Sequence, residues 1–196
     1  MGMPATAKRW TGAEVRALIE ANPLHTPRYE LIDGELLVTP GPSLDHQAAA
    51  RELVLLLAPC VEREAIGELL MAPFDVELEP ESLVQPDVFV VPALPHPRPR
   101  GLRQLQELLL AIEVLSPSSA RGDRVKKRDY FARNGVPEYW IVDLDARAIE
   151  RSTPLGPRVE LLAERLTWHP SGAASALEID VPTLFRRVFG EPVPDI

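Results

Sequence analysis

Leu108-Leu109-Leu110-Ala111-Ile112-Glu113-Val114-Leu115 is the stretch on which the fold turns. It is apolar but for one residue, too short for an ordinary helix, and ends on a β-branched pair around Glu113, so it reads as a central strand buried on both faces. Strand alternation places Leu109, Ala111, Glu113 and Leu115 on one face and Leu110, Ile112 and Val114 on the other. An ionised carboxylate there loses much of its hydration, and it demands a compensating partner such as a cation. Upstream, Pro86-Asp87 heads the run Val88-Phe89-Val90-Val91, and downstream lies Lys126-Lys127. Two strand carboxylates and a lysine in this order suggest a metal-dependent nuclease.

Working outward, Thr11 with Glu14 forms a capping box that opens a helix through about Ala21, before Asn22-Pro23. Arg28 to Val38 reads as a hairpin, because Asp33-Gly34 supplies the positive backbone angles of a two-residue turn. Ser43 or Asp45 caps a second helix from about His46 to Ala58, whose Leu53, Val54, Leu55, Leu56 and Leu57 imply extensive burial against the sheet. Segments 68–79 and 87–91 read as strands, and the proline-rich Pro92 to Arg100 as a stiff surface connection. Ser116-Pro117-Ser118-Ser119 is a turn and helix start, with a charged helix over 119–134 stopped at Asn134-Gly135. Glu138 to Asp143 is a strand, and Arg158 to Leu162 and Leu177 to Val181 are shorter edge strands. This order gives an α/β sandwich around a mixed sheet.

The 196 residues, 45% of them hydrophobic, suffice for one core, so the expectation is a single domain over 1–196. No apolar run reaches the roughly 20 residues of a membrane span, and Met1-Gly2-Met3-Pro4-Ala5 lacks a signal pattern, which points to a cytoplasmic protein. Cys60 stands alone and reads as a small core residue. The net charge of −8 opposes broad attraction to nucleic acid. Against it, Arg98, Arg100, Arg103, Arg121, Arg124, Lys126, Lys127 and Arg128 gather around the candidate site.

Mg²⁺ prefers one or two carboxylates plus water and phosphate, which Asp87 and Glu113 can supply. At about 100° per residue, Ala120, Asp123, Lys127, Tyr130 and Phe131 share one side of the 119–134 helix, with Val125 and Ala132 nearly opposite. Lys127 is thus preferred to Lys126, although an Asp123–Lys127 helix pair is an alternative. Glu30 is a secondary third carboxylate. His25, His46, His96 and His169 lack zinc-site spacing, and His46 reads as a helix-start hydrogen bonder. Ser116 and Ser118 read as caps rather than nucleophiles, and Tyr139 and Trp140 as core or subunit-contact residues. A carboxylate-pair glycosidase is a third reading, one that requires an aromatic-lined groove.

Tyr29-Glu30-Leu31-Ile32-Asp33-Gly34-Glu35, Pro86-Asp87-Val88, Ile112-Glu113-Val114-Leu115-Ser116-Pro117-Ser118, Asp123-Arg124 with Lys127, and Gly135-Val136-Pro137-Glu138-Tyr139-Trp140-Ile141-Val142-Asp143 together resemble the Uma family of putative restriction endonucleases. That family is similar to the PD-(D/E)xK nuclease superfamily, which implies a restriction-endonuclease-like mixed β-sheet core flanked by helices. By position Asp87 matches the first carboxylate and Glu113 the second. Leu115 stands where the superfamily's usual lysine would be, and Lys127 matches a lysine displaced to the following helix. Glu30 also matches a family position. The resemblance implies hydrolysis of DNA with Mg²⁺, or Mn²⁺ in its place, held by Asp87, Glu113 and the Val114 carbonyl. It further implies a homodimer. The competing expectation is a catalytically silent nucleic-acid- or protein-binding module on the same fold.

Overall fold

The computed structural model describes residues 8–24, 26–95, 97, 104–116, 120, 122–154, 156 and 159–193. The amino-terminal stretch, His25, His96, Arg98, Arg100, Arg103, Pro117-Ser118-Ser119, Arg121 and Arg158 lie outside them. In chain order the elements are α1 (Gly12–Glu20), the hairpin β1 (Arg28–Ile32) and β2 (Glu35–Thr39), α2 (Leu44–Glu64), β3 (Glu68–Met71), β4 (Asp75–Val76), β5 (Val88–Val91), β6 (Gln104–Leu105) and β7 (Leu110–Val114). A π-helical turn, Gly122–Lys127, then runs into α3 (Arg128–Arg133). It is followed by β8 (Glu138–Asp143), β9 (Ala148–Ser152), β10 (Glu160–Leu162), β11 (Arg165–Trp168), β12 (Leu177–Asp180) and α4 (Val181–Val188).

Six strands form the main sheet in the order β10-β9-β8-β7-β5-β3. Only β7 and β8 are parallel neighbours, so the sheet is mixed, with β7 inside it and helices on both sides. Every residue of β7 is buried, as its composition predicts. On one face Leu110, Ile112 and Val114 join Trp140, Trp168, Phe185 and the inner side of α2. On the other, Ala111 packs with Phe89, Tyr130, Phe131 and Tyr139 beneath α3. Side chains as large as Trp140 and Phe131 contribute upwards of ~1.5–3 kcal/mol each when fully withdrawn from water.

Local signals account for several boundaries. Thr11 and Glu14 make both bonds of the capping box. Asp33 and Gly34 take φ of 53° and 72°, the turn geometry that an Asp-Gly pair favours. Ser43 caps α2 by accepting from the His46 amide.

Some expectations are corrected. α2 begins at Leu44 and continues past Ala58 with Pro59 inside it, because Cys60 and Val61 extend its buried stripe. The cost of one missing backbone bond is outweighed by that burial. Leu55 faces solvent, at 59% exposure, while Leu53 and Leu57 are fully buried. Segment 68–79 is two strands, since Ala72-Pro73 interrupts it. The charged helix begins with a π-helical turn rather than a regular α-helix. Leu177–Asp180 pairs with β11 in a separate two-stranded sheet, and Val181 opens α4 with Asp180 as its cap. No helix among the described residues is long and apolar enough to cross a membrane.

Candidate active site

The site lies where β5 begins and β7 ends. Val88 pairs with Ile112 in an antiparallel ladder, so one step further Asp87 comes opposite Glu113. Strand pairing alone therefore brings the two carboxylates together from 26 residues apart. Gln85, just before Pro86-Asp87, donates its amide to Glu30 Oε1 at 2.8 Å, and the β1 hairpin is thereby tied to the same point. Glu30, Asp87 and Glu113 are all buried.

Asp87 is held from three directions. Oδ1 accepts from Arg28 Nη1 at 2.7 Å, and Oδ2 accepts from the Val114 amide at 2.8 Å and lies 3.1 Å from His46 Nε2. Burial pushes its carboxyl upward, but the His46 bond, the Arg28 charge and the Val114 amide outweigh this and hold it down at about 2. Asp87 is thus ionised at any ordinary pH.

Lys127 forms the second centre. Its Nζ lies 2.8 Å from Glu113 Oε1, 2.8 Å from Glu30 Oε2 and 3.5 Å from Asp123 Oδ1. Both expectations for this lysine therefore hold at once: it reaches the strand carboxylates and it pairs with Asp123 along the helix. Burial alone would lower its pKa, yet Glu113, Glu30 and Asp123 raise it above the usual lysine value. The side chain stays an ammonium, the opposite of the depressed lysine that burial by itself would make. Glu113 moves up as well, chiefly through burial and then through Asp87, Asp123 and Glu30, against the pull of Lys127. Four buried carboxylates, Glu30, Asp87, Glu113 and Asp123, share two permanent cations, Arg28 and Lys127.

Two of these groups escaped the sequence analysis as site residues. Arg28 stands two positions before Glu30 on β1, so strand alternation puts them on one face, a signal the sequence contains. His46 heads the stripe His46, Ala49, Ala50, Leu53 and Leu57 of α2, the spacing of one buried helix face. It does more than bond at the helix start, since its ring reaches Asp87. Lys126, by contrast, pairs with Glu35 at the solvent margin.

The basic cluster is largely neutralised where it is described. Arg124 binds Asp143 Oδ2 at 2.5 Å and Glu150 Oε1 at 2.6 Å, and Arg128 binds Glu150 Oε2 at 2.7 Å. Tyr139 and Trp140 are core residues, and Cys60 is buried.

A cleft of about 580 Å³ opens beside the site, lined among others by Arg28, His46, Val114, Ser116 and Arg124. Phe189 is the only Phe, Tyr or Trp in its described lining, so the aromatic groove required of a glycosidase is not found there. Among the described residues no group of three or more His, Cys, Asp or Glu side chains converges as a ready cation cage. The donor set is instead two carboxylates on adjacent strands, which suits an ion that keeps water and takes phosphate as further ligands. Carboxylate oxygens of this kind are the hard ligands such an ion prefers.

No curated protein matches the chain. Among solved structures it is similar to a putative nuclease belonging to DUF820 from Anabaena variabilis ATCC 29413. The TM-score is 0.71 at 22% identity, covering 83% of this chain and 92% of that one. At that identity the likeness speaks to the fold, which the two proteins share. The model of the family described as putative restriction endonuclease, Uma2, matches residues 17–183, and with most of its length inside that match the chain belongs to the Uma2 family.

Proposed function

We propose that the protein is a divalent-metal-dependent endonuclease of PD-(D/E)xK type that hydrolyses DNA phosphodiester bonds, using Mg²⁺ or Mn²⁺. The observation that carries this reading is the pairing of Asp87 with Glu113 across β5 and β7, with the Lys127 ammonium 2.8 Å from Glu113. Asp87, Glu113 and the carbonyl of Val114, whose amide already reaches Asp87, are the groups that would hold the ion. When bound, the ion supplies neutralisation of phosphate charge and acidification of its water.

The chain's own residues do the rest. Lys127, clamped by Glu30, Glu113 and Asp123, presents a fixed positive charge, and a fixed donor stabilises developing negative charge without reorganising. Because those carboxylates keep it protonated, its role is to orient water and offset charge rather than to act as a base. Glu30 is a positioning residue that joins the hairpin to Lys127. Cutting both strands of a duplex calls for two sites, so the reading includes a homodimer, to be checked by sedimentation.

Purified wild type, Asp87→Ala and the Asp87→Ala/Glu113→Ala double variant are incubated with single- and double-stranded DNA in Mg²⁺, Mn²⁺ or EDTA. Metal-dependent cleavage by wild type alone is the expected result. Cleavage retained by the double variant would sink the assignment. One observation favours a second reading, a silent binding module: Asp87 is fully engaged by Arg28, His46 and Val114. Metal-independent DNA binding without cleavage by wild type would support it.

A further inference from the structure

We propose that Arg28 is a displaceable resident counter-ion of the carboxylate pair, and that a divalent cation binding at Asp87 must drive its guanidinium off Oδ1 and into the adjoining cleft. The inference rests on the metal-site reading above and extends it by naming the group against which the ion competes.

Two cations serve the cluster, and they are held differently. Lys127 is enclosed, with a side-chain exposure of 3% and three carboxylates around its ammonium. Arg28 is 15% exposed and borders open space on two sides, the cleft of about 580 Å³ and a second of about 350 Å³ that it shares with His46 and Asp87. Its hold is also one-sided. Nη1 makes both bonds, to Asp87 Oδ1 at 2.7 Å and to the Gln85 carbonyl at 3.0 Å, while Nη2 and Nε bond to none of the described residues. A guanidinium offers five donors, so most of this one is uncommitted among the described residues.

The charge it supplies is nevertheless the one the site needs. Asp87, Glu113 and Glu30 all act on Arg28 electrostatically, so its charge lies within the field of both proposed ligands. A divalent ion seated on the same carboxylates would be repelled by a guanidinium left in place, and would take from it the oxygen it now holds. Rotation into the cleft removes both conflicts without moving a strand. Lys127 also borders a cavity, of about 480 Å³, but its ammonium is held by three carboxylates where Arg28 is held by one, which makes Arg28 the cation that gives way.

Mn²⁺ binding, read calorimetrically in the absence of DNA, tests this with wild type, Arg28→Gln, Arg28→Lys and Asp87→Asn. Arg28→Gln should bind on the order of tenfold more tightly than wild type, since one positive charge near the ion has been removed. Arg28→Lys, which keeps the charge, should stay near wild type, and Asp87→Asn should lose binding. Equal or weaker binding by Arg28→Gln, with Asp87→Asn still defective, overturns the counter-ion role and leaves the metal site standing. No binding by wild type and Arg28→Gln alike overturns both readings. Should Arg28→Gln fail to fold, the Arg28 side-chain ¹⁵N–H resonances of wild type serve instead. They should change sharply on Mg²⁺ addition, and their constancy while Mg²⁺ binds elsewhere in the cluster overturns the proposal.

Discussion

The two faces of β7 differ by a single substitution pattern and do opposite things. On one face Leu110, Ile112 and Val114 join Trp140 and the inner side of α2 in one apolar cluster. On the other, Ala111 continues the core, but one alternation later Glu113 replaces it with a buried carboxylate facing Lys127. Burial is equally complete on both sides. The apolar face gains free energy simply by leaving water, whereas the charged face must satisfy each group it buries, and it does so by importing partners from β1, α2 and the π-helical turn. Stability resides on the first face. The candidate-site charges are concentrated at the end of the second, where a preorganised charge costs stability that the first face supplies.

The largest expected effects compare the faces directly. Lys127→Met removes the ammonium from between Glu113 and Glu30 and should cost about 3–5 kcal/mol at pH 8, along with any cleavage activity. Lowering the pH toward 5 should return part of that loss, because the orphaned carboxylates can then take up protons. Ile112→Ala should cost ~2–5 kcal/mol by leaving a cavity on the apolar face, with little difference between the two pH values. Urea denaturation at both pH values checks the pair, and equal pH responses would break the distinction drawn between the faces.

A smaller effect isolates Asp87. Its carboxyl is held below its ordinary value, at about 2, so its contribution to stability is present above about pH 4 and is lost as the pH falls toward 2. The loss should be about 2 kcal/mol in wild type over that window. Asp87→Asn should lack that part of the acid limb, as measured by denaturation between pH 5 and pH 2. An unchanged limb would mean that Arg28, His46 and the Val114 amide do not hold the charge as described.

Smaller still is the turn that carries Glu30 to the site. Gly34 has φ of 72°, and a Cβ there would sit 3.1 Å from Arg9 Nε, so Gly34→Ala should cost about 1 kcal/mol in melting experiments. At the low end, Val125→Ser on the exposed side of the π-helical turn, at 54% exposure, should stay within about 0.5 kcal/mol of wild type. A larger loss would show that this side of the turn is engaged.

Several parts of this arrangement were legible beforehand because short-range chemistry specifies them. The capping box at Thr11, the Asp33-Gly34 turn, the buried run around Glu113 and the strand Glu138–Asp143 each depend on neighbours within a few residues. Periodicity also placed Lys127 on the inward side even though the turn is π-helical, since four residues still bring Asp123 and Lys127 together. The carboxy-terminal third was less legible. The inward residues of its strands β9 and β11 and of the helix α4 draw their burial from a cluster shared with α2, a partner far away in sequence.

What the amino-acid sequence determined by itself is therefore the mixed α/β character, the central strand with its interrupting glutamate, and the candidates Asp87, Glu113, Lys127 and Glu30. These follow from alternation, turn chemistry and the cost of a charge in an apolar strand. Only the tertiary structure decided which cation meets which carboxylate. It recruited Arg28 and His46 to Asp87, turned the Lys127 pKa upward, and spent Arg124 and Arg128 on Asp143 and Glu150. The reason is physical: electrostatic partnership falls off over a few ångströms of space and is indifferent to separation along the chain, so it exists only once the strands and helices have closed around it.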